Sequence, residues 1–278
     1  RAAIINTVKS GSYVEIDHAH NGMNFTVDSG RVAAFVATVE ENANLNVSYS
    51  YNTGDIKNNT STSSYFGCIV NVANGKVTLK NVYNTGVGAS LIGSARDSII
   101  ILNTYNYPKN SSYSTLLGFC EENKNDVIIE NSYIMQASTD FCRRRSSNLD
   151  KKYFANGYVA MRLHYHYNGR DYDGMEWGQD IGVDASPIFS GTVTGEVPAN
   201  SKVVSLDVVS YSGDKTIYPR YYLSQTRITL PDPTPRTGYA FAGWFDDTTS
   251  SVPIDNRIEI SFAEEDLTYY AKWWPLPK

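Results

Sequence analysis

The chain has 278 residues, including 21 Tyr, and it is rich in Asn, Ser and Thr but poor in runs of helix-forming residues. Tyrosine and β-branched residues favour half-buried pleated surfaces, so this composition predicts an all-β fold. The net charge of −5 argues against a nucleic-acid partner, and the absence of an apolar run of about 18 residues predicts no membrane insertion. The basic cluster Arg143-Arg144-Arg145 is interpreted as part of a solvated loop.

Residues 1–140 are predicted to form a parallel β-solenoid (β-helix) of stacked repeats. Each repeat is a short apolar strand, a polar turn and a second, alternating strand, with a spacing in the mid-twenties that suits one solenoid turn. The four aligned segments are residues 33–54, 66–86, 91–108 and 116–135. The last three open near a glycine, which is Gly67, Gly93 or Gly118.

Equivalent residues of stacked repeats lie above one another, and this predicts side-chain columns. Asn81, Asn103 and Asn131 are expected to form a hydrogen-bonded amide ladder, which Tyr49 ends at the first repeat. The tyrosines two residues later are expected to form an aromatic stack. Packing is the preferred interpretation of these rings, and a carbohydrate-binding platform is the alternative.

Two turns carry a family resemblance. YNTGDI at 51–56 and YNTGVG at 83–88 resemble the turns of GLUG-type repeats of bacterial surface proteins. The resemblance covers about residues 30–138 and implies a repeat structure of the kind found in bacterial surface proteins.

Residues 141–200 are predicted to cap the solenoid. They resemble the segment that follows such repeats in surface proteins of gut anaerobes, which implies a cover for the last open repeat rather than an active site. The matching residues are Gly157, Val159, Ala160, Trp177, Gly178, Gln179, Ile181, Gly182, Asp184, Pro187 and Phe189.

The four histidines form two His-x-His pairs. A strand would place His164 and His166 on one face, near Asp171, Asp173 and Glu176, and His18 and His20 repeat the spacing. Neither pair has a third ligand at a recognised spacing, so no metal site and no cofactor are predicted. The histidines are expected to be solvated or hydrogen-bonded.

No catalytic residue set is predicted. Glu121, Glu122 and Asp126 lie in turn-like contexts, and the phosphate-loop, dinucleotide and nucleophile-elbow motifs are absent from the sequence. The three cysteines, Cys68, Cys120 and Cys142, match no zinc pattern and cannot all pair in disulfides. Cys68 and Cys120 lie in apolar runs and are expected to be buried, unpaired side chains.

A separate module is predicted at residues 201–278. It is expected to fold independently of the rest of the chain, with the boundary near residues 198–203, where EVPANSK contains Pro and small polar residues. Alternating segments from about Lys202 predict four or five strands. The motif residues are Leu230, Pro231, Pro233, Thr234, Gly238, Tyr239, Phe241, Gly243, Trp244, Phe245, Asp266, Leu267, Thr268, Tyr270, Ala271, Lys272 and Trp273.

This motif resembles the Listeria–Bacteroides repeat of internalin-type surface proteins. The resemblance implies a β-grasp-like fold that acts as a spacer. We expect its core to be built from Tyr239, Phe241, Trp244, Tyr270 and Trp273, because so short a domain needs large buried side chains.

Two classes of function remain open at the level of sequence. The first is a non-enzymatic, extracellular bacterial surface protein, such as an adhesin, whose partner is a host or bacterial surface protein or a glycan. The second is a secreted polysaccharide-binding or polysaccharide-degrading β-helix protein. The ligand-binding residues are unknown. The chain begins at Arg1 rather than Met, which predicts a processed or partial chain.

Overall fold

Two parallel sheets dominate the first half of the computed structural model, and the residues that the structure describes are all-β apart from two short helices. The chain divides into two compact units, Arg1–Lys151 and Lys152–Lys278. The structure describes residues 2, 4–27, 32–58, 67–88, 90–109, 115–120, 126–135, 147–164, 176–195, 203–204, 206–209, 215–217, 222–223, 226–230, 233, 235–260 and 267–277.

The first unit contains sixteen described strands. They are β1 (Ile5–Val8), β2 (Tyr13–Asp17), β3 (His20–Asn21), β4 (Phe25–Val27), β5 (Val36–Val39), β6 (Asn44–Asn52), β7 (Ile56–Asn58), β8 (Gly67–Ala73), β9 (Lys76–Asn84), β10 (Ser90–Ala95), β11 (Ile99–Leu102), β12 (Tyr105–Asn106), β13 (Thr115–Cys120), β14 (Val127–Glu130), β15 (Tyr133–Met135) and β16 (Ser147–Leu149).

The chain alternates between two sheets as it advances. One sheet has the order β1-β5-β8-β10-β13, and the other stacks β2 and β3, then β6, β9, β11 and β12, and β14 and β15, with β16 beside β15. All these pairs are parallel. We call the strands contributed by one repeat a level, so that β1–β4 form level 1, β5–β7 level 2, β8–β9 level 3, β10–β12 level 4 and β13–β15 level 5.

The apolar core lies between the two sheets. Along β9, Val77 and Leu79 are buried whereas Thr78 and Lys80 are partly exposed, which is the period-2 pattern of a strand with one wet face. Cys68 is a free thiol buried in this core, as predicted, and burial raises its pKa to about 12. The side chain of Cys120 and all of Cys142 lie outside the described residues.

The repeat alignment is incomplete in one detail and wrong in another. The stack includes an additional level 1, built from residues 5–27, which the alignment beginning at residue 33 did not include. Gly93 corresponds to Gly118, but Gly67 pairs with Ser90 because the register shifts between Ser90 and Ile92. A fixed repeat length therefore does not describe this stack.

The second unit begins with two short helices and a small sheet. These elements are α1 (Lys151–Ala155), α2 (Tyr158–His164), β17 (Trp177–Asp180), β18 (Ile188–Phe189) and β19 (Val193–Thr194). Trp177 is buried and packs against Phe189 with ring centroids 4.5 Å apart. The placement of His164 on a strand is wrong, because that residue ends α2.

The remaining strands of this unit are β20 (Val203–Val204), β21 (Leu206–Val209), β22 (Lys215–Ile217), β23 (Tyr222–Leu223), β24 (Thr226–Thr229), β25 (Tyr239–Phe245), β26 (Arg257–Ile260) and β27 (Leu267–Pro275). A mixed sheet has the order β22-β21-β27-β25, in which β21 and β27 are parallel. Two further pairs, β20–β23 and β24–β26, are antiparallel. Neither described helix of the chain has the length or apolar character needed to cross a membrane.

Trp244 is 3% exposed, which confirms its predicted burial in this segment. Its ring meets that of Phe241 at an edge-to-face angle of 69°. Phe241 itself is 36% exposed and therefore rims the core rather than filling it, because β25 bulges between Phe241 and Gly243. Phe245, Leu230 and Tyr269 are also buried, although none of them was among the predicted core residues.

Candidate functional site

Every level of the first unit turns through the same four-residue corner. The corners are residues 18–21, 49–52, 81–84, 103–106 and 131–134, which stack in register. The first residue of each corner adopts a left-handed backbone conformation, with φ between 42° and 53°. Asn tolerates this conformation better than most residues, and it occupies three of the five positions.

The predicted amide ladder is confirmed at this first position. Asn103 donates from its side-chain Nδ2 to Oδ1 of Asn81, and Asn131 donates to Oδ1 of Asn103 across 2.6 Å. The hydroxyl of Tyr133 also donates to Oδ1 of Asn131 across 2.7 Å. Tyr49 and His18 replace Asn at levels 2 and 1, where their rings stack with centroids 5.0 Å apart.

A second amide ladder, which the sequence analysis missed, runs along the fourth corner position. Asn21 donates to Asn52 across 2.6 Å, Asn52 to Asn84 across 2.7 Å and Asn84 to Asn106 across 2.9 Å. The ladder stops at level 5, where Ile134 occupies the equivalent position. The repeated Tyr-Asn dipeptide at 51–52, 83–84 and 105–106 was the available signal.

Hydroxyl groups occupy the second corner position at levels 2, 4 and 5. Thr104 accepts from the backbone N–H of Val82 and donates to the carbonyl of Leu102. Ser132 repeats this pattern one level higher, where it accepts from the N–H of Thr104 across 3.2 Å. These hydroxyls satisfy backbone groups that the turn removes from the sheet ladder.

The third corner position carries the aromatic stack. The rings of His20 and Tyr51 are 4.2 Å apart, those of Tyr51 and Tyr83 4.7 Å, and those of Tyr83 and Tyr105 5.1 Å. The two tyrosine pairs are parallel within 7°, and Tyr83, Tyr105 and Tyr133 are buried. Because the ring faces contact one another, this column is packing, and it is not the flat exposed row that a sugar platform requires.

The YNTG turns have a steric explanation. Asn52 and Asn84 each donate to the carbonyl of the glycine two residues later, Gly54 and Gly86. A β-carbon on Gly86 would lie 1.9 Å from the carbonyl oxygen of Gly54 in the level below. The turn therefore needs glycine because the backbones of adjacent levels touch there.

Level 1 exposes the two histidines of the first His-x-His pair. Nδ1 of His18 lies 2.7 Å from Oδ2 of Asp17, whose other oxygen accepts from the Ser48 hydroxyl across 2.6 Å. The Ser48 hydroxyl and then His18 hold the pKa of the Asp17 carboxyl below its usual value. Nε2 of His20 lies 2.9 Å from the Thr53 hydroxyl. The expectation of hydrogen-bonded histidines is confirmed for this pair.

The second sheet of this unit turns one continuous face to solvent, and this face is polar at levels 1 to 3. We call the outward-pointing residues of β2, β6, β9, β11 and β14 the outward face. At its first two levels, Asn46 donates to the Tyr13 hydroxyl across 2.9 Å, and Asp17 accepts from Ser48. The members at levels 1 to 3 are Tyr13, Glu15, Asp17, Asn44, Asn46, Ser48, Lys76, Thr78 and Lys80.

Some candidate residues of the sequence analysis lie outside the part of the chain that the structure describes, and others are placed by it. His166, Asp171, Asp173, Glu121 and Glu122, together with the arginines at 143–145, lie outside the described residues. His164 is buried, with Nδ1 2.5 Å from the carbonyl oxygen of Trp177, while Glu176 and Asp126 are exposed. Within the described part of the chain, no group of three or more His, Cys, Asp or Glu side chains is placed to hold a metal ion.

Comparison with known proteins identifies one segment. Residues 208–272 match the family model of the Listeria-Bacteroides repeat domain, which confirms the resemblance of that module. This repeat is typical of surface or secreted bacterial proteins. No curated protein and no solved structure matches the chain.

Proposed function

We propose that this chain is a non-enzymatic, extracellular protein of a bacterial surface, in which a stacked repeat unit displays a ligand-contacting face and a C-terminal module serves as a spacer. The observation that carries the proposal is the use of the corner side chains. The Asn, Ser, Thr and Tyr residues that recur there bond or stack with their counterparts in adjacent levels. These side chains therefore stabilise the stack through contacts between its levels.

The stacking supports a parallel β-solenoid for residues 1–140. Each level contributes strands to both of two parallel sheets that enclose a common apolar core, which is how a solenoid buries surface that a single repeat leaves exposed. The GLUG-type resemblance of the YNTG turns agrees with this architecture. Residues 141–200 are proposed to serve as the cap.

The strand order of the C-terminal segment supports a β-grasp-like module. In the sheet β22-β21-β27-β25, β21 is the first strand along the chain and β27 is the last. These two strands lie parallel at the centre of the sheet, and each has an antiparallel neighbour, which is β22 for β21 and β25 for β27. That arrangement is the one that the resemblance implied. A spacer role for this module agrees with the surface or secreted proteins in which the repeat occurs.

The outward face is the proposed contact surface, and its partner is a host or bacterial surface protein or a glycan. Tyr13 is 61% exposed and presents a ring that Asn46 orients. A flat, hydrogen-bonding surface suits an extended partner better than a small molecule, which prefers a concave site.

Binding of the full chain to an array of host-matrix proteins and glycans tests this proposal, with a polysaccharide degradation screen beside it. The double variant Tyr13→Ala/Asn46→Ala should lose binding. The matched control is Val252→Ala, an exposed position in the other unit, which should bind normally. Release of sugar fragments by the chain would favour the polysaccharide-degrading alternative and contradict the proposal, as would binding that both variants retain.

A further inference from the structure

The outward face changes character at its last two levels. The register places Thr78, Ile100 and Ile128 in one outward column, and Lys80, Leu102 and Glu130 in the next. Ile128 is 44% exposed, and Ile100 and Leu102 are partly exposed. We call Ile100, Leu102 and Ile128 the apolar end of the face. These aliphatic side chains are adjacent on a solvent-facing sheet and form one apolar patch that a partner surface can cover, whereas apolar residues scattered singly over a surface need no explanation.

The charges that flank the apolar end have opposite signs. At level 3, Lys76 and Lys80 lie on the outward face, and both are positive. At level 5, the same two columns carry Asp126 and Glu130, because the register of β9 with β11 and of β11 with β14 is unbroken. Lys76 and Asp126 are two levels apart, about 10 Å at ordinary strand spacing, which is too far for a direct ion pair within one chain.

This pattern is self-complementary under a two-fold rotation. An axis that runs along β11 in the plane of the face exchanges levels 3 and 5 and keeps each column in place. A second copy docked by this operation places Lys76 opposite Asp126 of the other copy, and Lys80 opposite its Glu130. Level 4 lies on the axis, so that Ile100 and Leu102 meet their own counterparts, as an isologous interface requires.

We propose that two copies of this chain associate face to face through levels 3 to 5 of the outward face. The apolar end supplies the buried area, and the four lysine–carboxylate pairs select the antiparallel order of levels. The area is small. Three levels of about five residues cover a few hundred Å², below the roughly 800 Å² per partner of a standard interface, so the dimer is weak in solution. Copies held on opposing surfaces would associate through many such contacts at once.

Sedimentation velocity of the full chain over a range of concentrations tests the proposal. The wild-type chain should show a concentration-dependent equilibrium between monomer and dimer. The charge reversals Lys76→Asp and Asp126→Lys should each weaken dimerisation by about tenfold or more, because each creates two like-charge contacts. The matched control is Glu15→Lys, a charge reversal on the same face at level 1, which should dimerise like the wild type.

Mixing the two charge-reversal variants provides the decisive measurement. In a 1:1 mixture, a Lys76→Asp chain and an Asp126→Lys chain again face each other with opposite charges at both contacts, so dimerisation should return as a heterodimer. Circular dichroism should show that both variants fold normally. A wild-type chain that stays monomeric at all concentrations would overturn the proposal. So would a mixture that dimerises no better than its components, or a dimer that is insensitive to both reversals.

Discussion

Asn103 donates its side-chain amide to the side-chain oxygen of Asn81 across 2.5 Å, although 22 residues separate the two along the chain. Both residues are buried and both adopt positive φ. Asparagine therefore suits this position for two reasons. It tolerates the left-handed backbone conformation, and its side chain forms a hydrogen bond with a neighbouring polar group that is buried away from water.

Replacing Asn103 with Ala should destabilise the first unit by about 2–5 kcal/mol. The change leaves polar atoms of Asn81 and Asn131 buried without this partner and puts Ala in a left-handed conformation. The free energy of unfolding in urea measures the loss. Asn46→Ala is the control, because its bond to Tyr13 lies at the surface and should contribute within about 0.5 kcal/mol. Equal effects of the two substitutions would refute a stabilising role for the ladder.

Gly86→Ala should cost about 3 kcal/mol, the upper end of the range for overpacking, because the new β-carbon collides with the backbone of Gly54. Gly22→Ala is a matched control in level 1. Its nearest contact would be the flexible His20 ring at 3.4 Å, so its effect should be within about 0.5 kcal/mol. Thermal melts of both variants make the comparison, and a Gly86→Ala protein that melts like the wild type would show that the levels can separate at the turn.

Asp55 should contribute stability that disappears in acid. Its carboxylate accepts from the backbone N–H of Val87 in the level above and lies 3.1 Å from Lys57, and these contacts lower its pKa from the ordinary 3.8. A lowered folded-state pKa means that the stabilisation is complete above the unfolded value and is lost as pH falls through the folded value. The difference in unfolding free energy between wild type and Asp55→Asn should thus shrink on acidification. A difference that is constant from neutral pH to about pH 2 would contradict the assignment.

Trp244→Ala should destabilise the C-terminal segment by about 3–5 kcal/mol, which is the usual cost of truncating a buried large aromatic residue. A small module has little more stability than this, so much of it should unfold. Trp274→Ala provides the control, since Trp274 is 63% exposed and its loss should matter little. Near-ultraviolet circular dichroism of the full chain during heating separates the two, and an unchanged transition in Trp244→Ala would contradict the structural role.

The first amide ladder and the aromatic stack were predictable because their residue identities recur. Asn81, Asn103 and Asn131 each precede a tyrosine by two positions, and stacking in a parallel sheet is the direct consequence of such recurrence. Burial of Cys68 followed from its apolar surroundings, and burial of Trp244 followed from the need of a short module for large buried side chains.

Level 1 was not predictable from the same signal. Its corner uses His18 and His20 where later levels use Asn and Tyr, so identical geometry is encoded by different residues. The spacing between levels also varies, since bonded Asn side chains of the two ladders are 31, 32, 22 or 28 residues apart. Turns of unequal length hide the period, although the strands of the second sheet remain in register.

His164 illustrates a different limit. Its alternation with His166 indicated a strand, but residues 158–164 contain Ala, Met, Arg and Leu, which favour a helix. The apolar end of the outward face was also inaccessible to sequence alone, because Ile100 and Ile128 become neighbours only through the register of β11 and β14.

The two amide ladders point in opposite directions. From Asn21 to Asn106, each amide donates toward the next level, whereas Asn103 and Asn131 donate toward the previous one. Each column is a line of aligned dipoles in which every bond polarises its neighbours, but the two lines oppose each other. Between levels 3 and 4, where both ladders are present, the two opposed bonds partly cancel, so a level that carries both asparagines lengthens both columns without adding the dipoles of two aligned bonds.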